Sequence, residues 1–407
     1  MDAFYLKLLQ KLAYLGCLFS LLIISLGAYV RLTHAGLGCP DWPTCYGHLL
    51  WPITAEDKAL ANIKFLATPV DDSKTWSEQL HRLLATCLGV LTLIFFFIVY
   101  QKTPKKFYKS IMLILIFLML TTLSMRIGFS FFWQYDGEVI YDTLDPILFA
   151  ISLFVVSGLL FFCLRKKQPL IVLSTLLVCA VILQGFFGLW TVSLKLWPQV
   201  VSLHLVGGIS IAALFFCIAK SIVIKPVNHF CYYNERLKKF AYFVIFFTYL
   251  QIFLGGWLTA NYAGIACLDF PTCQGQWIVL NGLDGFNFLQ TIGPNYLGGE
   301  LGNIERMTIH WVHRFNALLL TLLVCVFFWR CLRFSSLLLK PMLVCLAVLI
   351  IQIGLGIANI VYQFPISIAV LHTLTAALLL ISIINLSYPL LTAHINQPRT
   401  ANYVTID

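Results

Sequence analysis

Long apolar segments alternate with short polar ones along nearly the whole chain. Ten of these segments are long enough to cross a hydrocarbon core of about 30 Å, which takes about 20 helical residues. They lie at approximately 13–31, 79–100, 108–129, 146–164, 169–192, 199–222, 239–261, 308–329, 340–361 and 367–388. The pattern predicts an all-α polytopic membrane protein with about ten transmembrane helices.

Composition agrees with a lipid environment. Hydrophobic residues make up 60% of the chain and charged residues only 11%, which is more apolar surface than a water-soluble domain can bury. The first apolar segment fits a cleavable signal peptide poorly, because it is too long and the sequence that follows it recurs in the interior of the chain. The chain is therefore expected to be an integral membrane protein.

Lysine and arginine are concentrated in alternate loops, which predicts the orientation in the membrane. The basic positions lie before the first segment and after the second, fourth, sixth and eighth: Lys7, Lys11, Lys102, Lys105, Lys106, Lys109, 165–167, 225–239, Arg330, Arg333 and Lys340. Both termini are therefore predicted to be cytoplasmic. This bias and an attraction to anionic lipid account for the net charge of +10 without a nucleic-acid partner.

One stretch of the sequence occurs twice. LGAYVRLTHAGLGCPDWPTCYG at 26–47 returns as LGGWLTANYAGIACLDFPTCQG at 254–275. Each copy is followed by an apolar segment with a His-Arg dipeptide near its start, and later by one with a single histidine. The chain therefore reads as a tandem duplication, with an N-terminal half at 1–230 and a C-terminal half at 231–407.

Each copy of the repeat contains a pair of cysteines in a predicted outer loop. Cys39 and Cys45 recur as Cys267 and Cys273. An oxidising compartment favours a disulfide within each loop. A metal site is the alternative, although no histidine repeats beside both pairs.

Four histidines are related by the duplication: His81 and His204 in the first half, His313 and His372 in the second. A polar side chain in a membrane helix is costly and is usually functional, although any one of them alone could be a satisfied core histidine. Two imidazoles per half suit a haem iron held between two axial nitrogens in a helical bundle. Zinc normally requires three or four protein ligands.

The two halves differ one helical turn before the first histidine. Glu78 precedes His81 by three residues and so lies on the same helix face, whereas His310 occupies the matching position before His313. A carboxylate near a haem edge could accept a proton or stabilise developing positive charge; the alternatives are a snorkelling side chain or a helix cap. The arginines that follow, Arg82 and Arg314, could pair with haem propionates or with lipid phosphates.

Several weaker features also repeat or stand alone. His34, His48, His229 and His394 are interpreted as solvated or interfacial. The Q-x3-G pattern occurs at Gln184/Gly188 and at Gln352/Gly356, where close helix packing is the simpler interpretation and space for a flat macrocycle the alternative.

The motifs RLTHAGLGCPDWPTC, E-x-x-H-R, QGFFGLWTVSLKLWPQVVSLH, HWVHR and LHTLTAA, in this order, resemble the haem A synthase family. The resemblance covers nearly the whole chain except about 101–168. It implies a membrane-bound haem-dependent oxidoreductase built from two four-helix bundles, here with a helical hairpin inserted at about 101–168 in the first half. The implied reaction oxidises the C8 methyl group of haem O to a formyl group, giving haem A for cytochrome oxidase.

The resemblance also implies residue roles. His81 and His204 would flank the iron of the substrate haem O, His313 and His372 would bind the iron of a haem b cofactor, and Glu78 would be catalytic. Haem O synthase and a membrane electron acceptor are the implied partners, and a homo-oligomer is compatible with the sequence. His34 departs from the small or polar residue usual at its position in the family.

Two other function classes remain open on the sequence. A bis-histidine dihaem cytochrome that only transfers electrons would use the same four histidines. A solute transporter would also contain repeats, but such proteins usually have broken helices near the membrane midplane, whereas the polar residues of this chain cluster at one end of the apolar segments. The difference between Glu78 and His310 and the cysteine loops favour the synthase.

Overall fold

The structure, a computed structural model, describes residues 3–103, 169–222, 234–288, 290–291 and 294–392. Regular secondary structure in these ranges is helical. The α-helices are α1 (Ala3–Leu32), α2 (Ala55–Lys64), α3 (Asp72–Gln101), α4 (Pro169–Ser193), α5 (Pro198–Ser221), α6 (Glu235–Ala260), α7 (Asn303–Phe334), α8 (Leu339–Val361) and α9 (Ile366–Thr392).

Eight helices in the described ranges are long and apolar enough to cross a membrane, and only the short α2 is not. They confirm eight of the ten predicted segments. The remaining two, at 108–129 and 146–164, belong to the predicted hairpin at about 101–168 and lie outside the described residues. So does the predicted boundary between the halves at 230/231.

Polar residues fix where two of the membrane helices begin. The side chain of Asp71 accepts a hydrogen bond from the backbone N–H of Ser73 at the start of α3, and Asn234 accepts one from Leu237 at the start of α6. Each supplies a partner for a backbone donor that the first turn would leave unpaired. Along the helices the outward-facing side chains are large and apolar, as at Leu18, which is 66% exposed. Such a surface requires lipid.

The spanning helices form two bundles of four. In the first half α1, α3, α4 and α5 pack around one another in a ring, and α6, α7, α8 and α9 repeat this ring in the second half. The bundles meet where α1 packs on α9 and α5 packs on α6 and α9. Because α6 is the counterpart of α1 and α9 that of α5, the two halves are related by a pseudo-two-fold axis.

Hydrogen bonds show which helix ends lie together. The side chain of Gln10, near the start of α1, donates to the carbonyl of Ala219 at 3.1 Å, near the end of α5. Val99 near the end of α3 and Leu170 near the start of α4 belong to one apolar core. The loops with the paired cysteines lie at the opposite end, called here the disulfide end. His81 and His204 therefore both lie toward the disulfide end.

Candidate functional site

Both predicted disulfides are present. Cys39 is bonded to Cys45 and Cys267 to Cys273, with Cα–Cα distances of 4.8 and 4.7 Å. The disulfide loops are defined here as 39–49 and 267–277. This local pairing confirms the sequence prediction. In the described ranges no group of three or more His, Cys, Asp or Glu side chains is arranged to hold a metal ion.

An aspartate organises each disulfide loop. The carboxylate of Asp41 accepts hydrogen bonds from the backbone N–H groups of Tyr46 at 2.5 Å and Gly47 at 2.8 Å. In the second loop Asp269 accepts the equivalent bonds from Gln274 at 2.6 Å and Gly275 at 3.0 Å. The turn in each disulfide loop is therefore held by hydrogen bonds between one carboxylate and the main chain.

These bonds favour the ionised carboxylates. Hydrogen bonds from the hydroxyl of Thr272 and the backbone of Gly275 lower the pKa of Asp269 to about 2. Burial opposes ionisation of Asp41, but the hydrogen bonds from Thr44 and the backbone outweigh it, and the pKa of Asp41 is also lowered. Hydrogen bonding to the charged form is the general cause of such shifts.

One face of α3 holds the first disulfide loop. The guanidinium of Arg82 donates from Nη1 to the carbonyl oxygens of Asp41 at 2.8 Å and Thr44 at 2.9 Å. Three residues earlier, Nε2 of Gln79 donates to the carbonyl of Leu49 at 2.6 Å. Residues three and four apart share a helix face, so α3 presents a row of donors to the loop.

The second half repeats this attachment with a partly different set of residues. Nη1 of Arg314 on α7 donates to the carbonyls of Asp269 at 2.9 Å and Thr272 at 2.7 Å. Nε1 of Trp311 donates to the carbonyl of Trp277 at 2.7 Å, as Gln79 does to Leu49. Both arginines thus hold the loops, a use that the sequence did not indicate. Their predicted pairing with haem propionates stays a prediction.

Glu78 is buried beneath the first disulfide loop, with 4% of its surface exposed. Its Oε1 lies 2.5 Å from Nη2 of Arg82, and its Oε2 accepts the backbone N–H of Cys39 at 2.8 Å. Charge-assisted bonds at both oxygens fix the orientation of the carboxylate. Glu78 is neither a snorkelling side chain nor the cap of α3, because Asp71 caps that helix.

His310, the counterpart of Glu78, contacts the short helical turn 263–266 that precedes the second disulfide loop, and it does so with the opposite hydrogen-bond polarity. Its Nδ1 lies 3.1 Å from the carbonyl oxygen of Ala263, which can only accept a hydrogen bond. Nη2 of Arg314 donates instead to the carbonyl of Cys267 at 2.9 Å. The two halves are therefore closely similar in their loops but carry an acid at this position only in the first.

Each of the four repeated histidines lies against a glycine of a neighbouring helix. A methyl group added to that glycine would lie close to Cε1 of the imidazole. The distances are 2.8 Å for Gly27 and His81, 3.5 Å for Gly188 and His204, 3.2 Å for Gly255 and His313, and 3.1 Å for Gly356 and His372. Gly188 and Gly356 are the glycines of the two Q-x3-G patterns. They make room for a histidine ring rather than for the backbone of a neighbouring helix.

The first-half rings face each other across the bundle, with 6.5 Å between the ring centroids of His81 and His204. An imidazole nitrogen binds a first-row metal at about 2.0–2.1 Å. The lengths of two nitrogen–metal bonds and the distances from the two nitrogens to their ring centres together come close to the 6.5 Å between the rings. Nδ1 of each ring is buried without a hydrogen-bond partner in the described part of the chain. The donor set therefore fits a haem iron, which His81 and His204 would hold between two imidazole nitrogens.

The second pair occupies the matching places in the other bundle. Nδ1 of His372 is buried without a hydrogen-bond partner among the described residues, and the ring nitrogens of His313 lie 3.2 and 3.3 Å from Nε2 of Gln251. The donor set is again two imidazoles, and it fits the same kind of ligand.

His34 does not behave as a free surface histidine. Its ring is exposed, but it stacks on Tyr262 with 5.4 Å between ring centroids and 1° between ring planes. Arg31 joins them, donating from Nη1 to the Tyr262 hydroxyl at 2.8 Å. Partial burial of the ring against Tyr262 is the main reason that the pKa of His34 is lowered, with the charges of Arg31 and Lys74 adding to the effect.

The position of this pair follows from the duplication. His34 and Tyr262 are matching positions of the repeat, and residues near a two-fold axis contact their own counterparts. The aligned repeats therefore contained the signal for the contact between His34 and Tyr262. Of the other solitary histidines, His48 is half-buried in the first disulfide loop, while His229 and His394 lie outside the described residues.

Comparisons with known proteins show the family of this chain. The profile of the COX15-CtaA family, described as cytochrome oxidase assembly proteins, matches residues 10–123 and 148–384. The chain is 32% identical over 377 residues to the haem A synthase of Shewanella oneidensis, an alignment covering 91% of this chain and 93% of the relative. It is 26% identical to the haem A synthase of Rickettsia prowazekii over 93% of this chain and 96% of the relative. The chain belongs to the COX15-CtaA family of cytochrome oxidase assembly proteins.

Proposed function

We propose that this chain is a haem A synthase, a membrane-bound oxidoreductase that converts the C8 methyl group of haem O to a formyl group. The observation that carries the proposal is the buried carboxylate of Glu78 one turn from His81, in a half whose counterpart has His310 instead. The names of the curated relatives support the same activity.

The first half is the proposed substrate site. His81 and His204 would hold the iron of haem O between their rings. Removing electrons from a methyl group conjugated to the porphyrin leaves an electron-poor carbon, and a fixed negative charge nearby stabilises it. Glu78 supplies that charge, with its orientation set by Arg82 and by the backbone N–H of Cys39.

Glu78 can also take part in proton transfer, since a carboxylate within reach of an attacking water accepts its proton. Two successive two-electron oxidations, with water as the source of oxygen, give a hydrated aldehyde that loses water to form the formyl group. The protons leave to solvent and the electrons pass to an acceptor in the membrane. The protein supplies position and charge for this reaction.

The second half is the proposed cofactor site. His313 and His372 would hold a haem b, which would supply one-electron redox chemistry as an outlet for the substrate's electrons. His310 cannot replace the negative charge of Glu78, and its hydrogen bond to Ala263 ties the ring to the short helical turn that precedes the second disulfide loop. The second half is therefore suited to keep a haem rather than to oxidise one.

The cellular setting belongs to the same proposal. Both termini would lie in the cytoplasm of a bacterium and the disulfide end outside the inner membrane, where an oxidising environment keeps the cysteines bonded. Haem O synthase is the proposed source of substrate, and a homo-oligomer is compatible with the exposed apolar surface.

The test is the Glu78→Gln variant, which keeps the shape of the side chain and removes its charge. Extracted haems, identified by mass after expression, should show haem b retained and conversion of haem O lowered by about 10²–10³-fold, the usual effect of removing one transition-state stabiliser. His310→Gln is the matched control at the symmetric position and should leave conversion intact. Undiminished haem A in Glu78→Gln would refute the proposed role.

A second measurement separates a synthase from an electron-transferring dihaem cytochrome. Cells that lack this chain should accumulate haem O and contain no haem A if the chain is the synthase. Normal haem A in those cells would instead leave only the cytochrome function. The carboxylate present in one half alone favours the synthase, because electron transfer does not require it.

A further inference from the structure

A segment of the second half lies across the start of the helix that carries His204. The segment follows the second disulfide loop and is called the strap here; its described residues are 282–288, 290–291 and 294–299. The indole Nε1 of Trp197 donates to the carbonyl of Gln290 at 3.0 Å. Nε2 of Gln199 donates to the carbonyl of Phe288 at 3.0 Å. These bonds join the two halves at the disulfide end.

The strap also contacts the turn between α4 and α5. The backbone N–H of Tyr296 donates to the carbonyl of Lys195 at 3.0 Å, and Tyr296 is buried. Lys195 and Leu196 have φ angles of 46° and 63°, a left-handed conformation that costs free energy in residues other than glycine. Such a turn persists only where the surrounding structure holds it, and here the strap is part of that structure.

This turn determines where α5 begins, and His204 lies two turns along α5. Trp197 directly precedes Pro198, the first residue of the helix. His204 follows Trp197 by seven residues, which at 3.6 residues per turn places it close to the same side of α5. Because a helix is stiff over two turns, loss of the strap bonds would let the start of α5 shift and the ring of His204 shift with it.

The other end of the strap is anchored beside His313. The backbone N–H of Gly282 donates to the hydroxyl of Thr308 on α7 at 3.0 Å, five residues before His313. Nε1 of Trp257, a fully buried side chain of α6, donates to the carbonyl of Gly285 at 2.9 Å. The strap therefore connects α6 and α7 of the second-half site to the start of α5 in the first half.

The first half has no equivalent connection to the second half in the described part of the chain. Its segment 50–71 contains α2, and the hydrogen bonds of this segment join it only to other first-half residues. Pro365 and Ser367 stand where the first half has Trp197 and Gln199. Proline has no side-chain donor, and serine is much shorter than glutamine. The donors that hold the strap are therefore present in one half only.

We propose that the strap couples the two haem sites, and that Trp197 and Gln199 are positioning residues through which the second half fixes His204. The inference rests on the proposed function, in which His313 holds a haem b and His204 a substrate haem. With haem b bound, α7 and the strap are fixed, and the strap in turn fixes the start of α5. The first half then binds haem O tightly only when the second half holds its cofactor. Coupling between two sites typically changes affinity by about 5–150-fold and is reciprocal.

The first test removes the strap bonds from the complete protein with haem b bound. Trp197→Phe combined with Gln199→Leu keeps two large side chains and removes both donors. The dissociation constant of the first half for haem O, measured by absorbance titration, should rise by about 5–150-fold while the haem b content stays unchanged. Gln10→Leu is the matched control, because Gln10 bonds the carbonyls of Ala219 and Ile222 at the opposite end of α5. Equal affinity for haem O in the double variant and in this control would overturn the inference.

A milder variant keeps the test decisive if the double variant fails to fold. Gln199→Leu alone leaves the indole of Trp197 in place and should raise the dissociation constant for haem O by a smaller factor. A dissociation constant equal to that of Gln10→Leu would then overturn the inference.

A spectroscopic readout separates positioning of His204 from a general loss of stability. The ring planes of His81 and His204 are inclined at 76°. The electron paramagnetic resonance spectrum of a ferric low-spin haem depends on the angle between its two axial imidazole planes. With haem O bound, the double variant should therefore show a shifted first-half signal and an unaltered haem b signal. Identical spectra in the double variant and the unaltered protein would contradict the role of the strap.

Removal of haem b tests the coupling itself. The His313→Ala protein, which is expected to lack haem b, should bind haem O about as weakly as the double variant does. Adding the two strap substitutions to His313→Ala should cause little further loss, because changes that act through one shared contact are not additive. Losses of affinity that multiply would overturn the coupling. Normal haem b in His313→Ala would instead refute the proposed function of the second half, so the two failures are distinguishable.

Discussion

The Gly27→Ala substitution offers a quantitative test of how closely the histidines are packed. The added methyl group would lie 2.8 Å from Cε1 of His81. Carbon atoms in contact are normally about 3.5–4.0 Å apart, so the ring must move by at least about 0.7 Å. Overpacking of this kind costs about 1–3 kcal/mol. If the cost falls on the bound state, it weakens haem binding by about 5- to 150-fold, at about 1.4 kcal/mol per factor of ten.

The same substitution should not weaken the helix itself. Alanine is more favourable than glycine in a helix interior by about 0.8–1.0 kcal/mol, so α1 gains rather than loses intrinsic stability. Gly27→Ala is therefore expected to lower haem occupancy of the first half, while in the haem-free protein this gain offsets part of the overpacking cost, so that the free energy of unfolding falls by at most about 2 kcal/mol. Absorbance titration of the purified protein with haem measures the first quantity, and thermal unfolding in detergent the second.

Gly188→Ala is the internal control. Its added methyl group would lie 3.5 Å from Cε1 of His204, an ordinary contact, so haem binding should be nearly unchanged. Gly255→Ala and Gly356→Ala, at 3.2 and 3.1 Å, should give intermediate losses confined to the second half. Equal losses in Gly27→Ala and Gly188→Ala would refute the steric reasoning, as would full haem occupancy in Gly27→Ala.

Three further outcomes are expected. His313→Ala and His372→Ala should each abolish the low-spin haem b spectrum of the purified protein; normal spectra and stoichiometry would contradict their proposed role as ligands. Replacing 101–168 by a short linker should lower thermal stability more than activity per folded molecule, and the opposite ranking would place this segment in the active site. The ordering of the second loop by Asp269 should be complete above about pH 4 and should be lost as the pH falls through the folded pKa of about 2. Amide hydrogen exchange in that loop should therefore accelerate on acidification, and Asp269→Asn should remove this acid response; an unaltered response would show that another group controls the loop.

The sequence predicted the parts of the site that depend on repeated side chains. The histidine pairs, the cysteine pairs and the difference between Glu78 and His310 could all be read by aligning the two copies, because a duplication preserves spacing. The membrane helices followed from apolar length alone. Predicting these features does not require knowing which atoms are in contact.

Contacts to the main chain and choices of side-chain conformation could not be predicted in this way. The hydrogen bonds from Arg82 to two loop carbonyls, for example, have no signature in the sequence. Gln184 and Gln352 occupy matching positions, yet one bonds a backbone carbonyl and the other contacts a histidine ring. That difference depends on one position of the next helix, which is Gly207 in the first half and Thr375 in the second. Only a structure shows that this position meets the glutamine side chain.

The attachment of the disulfide loops through main-chain carbonyls affects how the two copies could diverge. A carbonyl is an acceptor whatever residue carries it, so a mutation in the loop leaves the bonds from Arg82 or Arg314 available. The donor can change as well, since Gln79 in one copy and Trp311 in the other reach the same loop position. A duplicated chain built this way can accumulate different chemistry in its two halves while both keep the same scaffold. One half could carry an acid and the other a histidine while both disulfide loops stay attached to their helices.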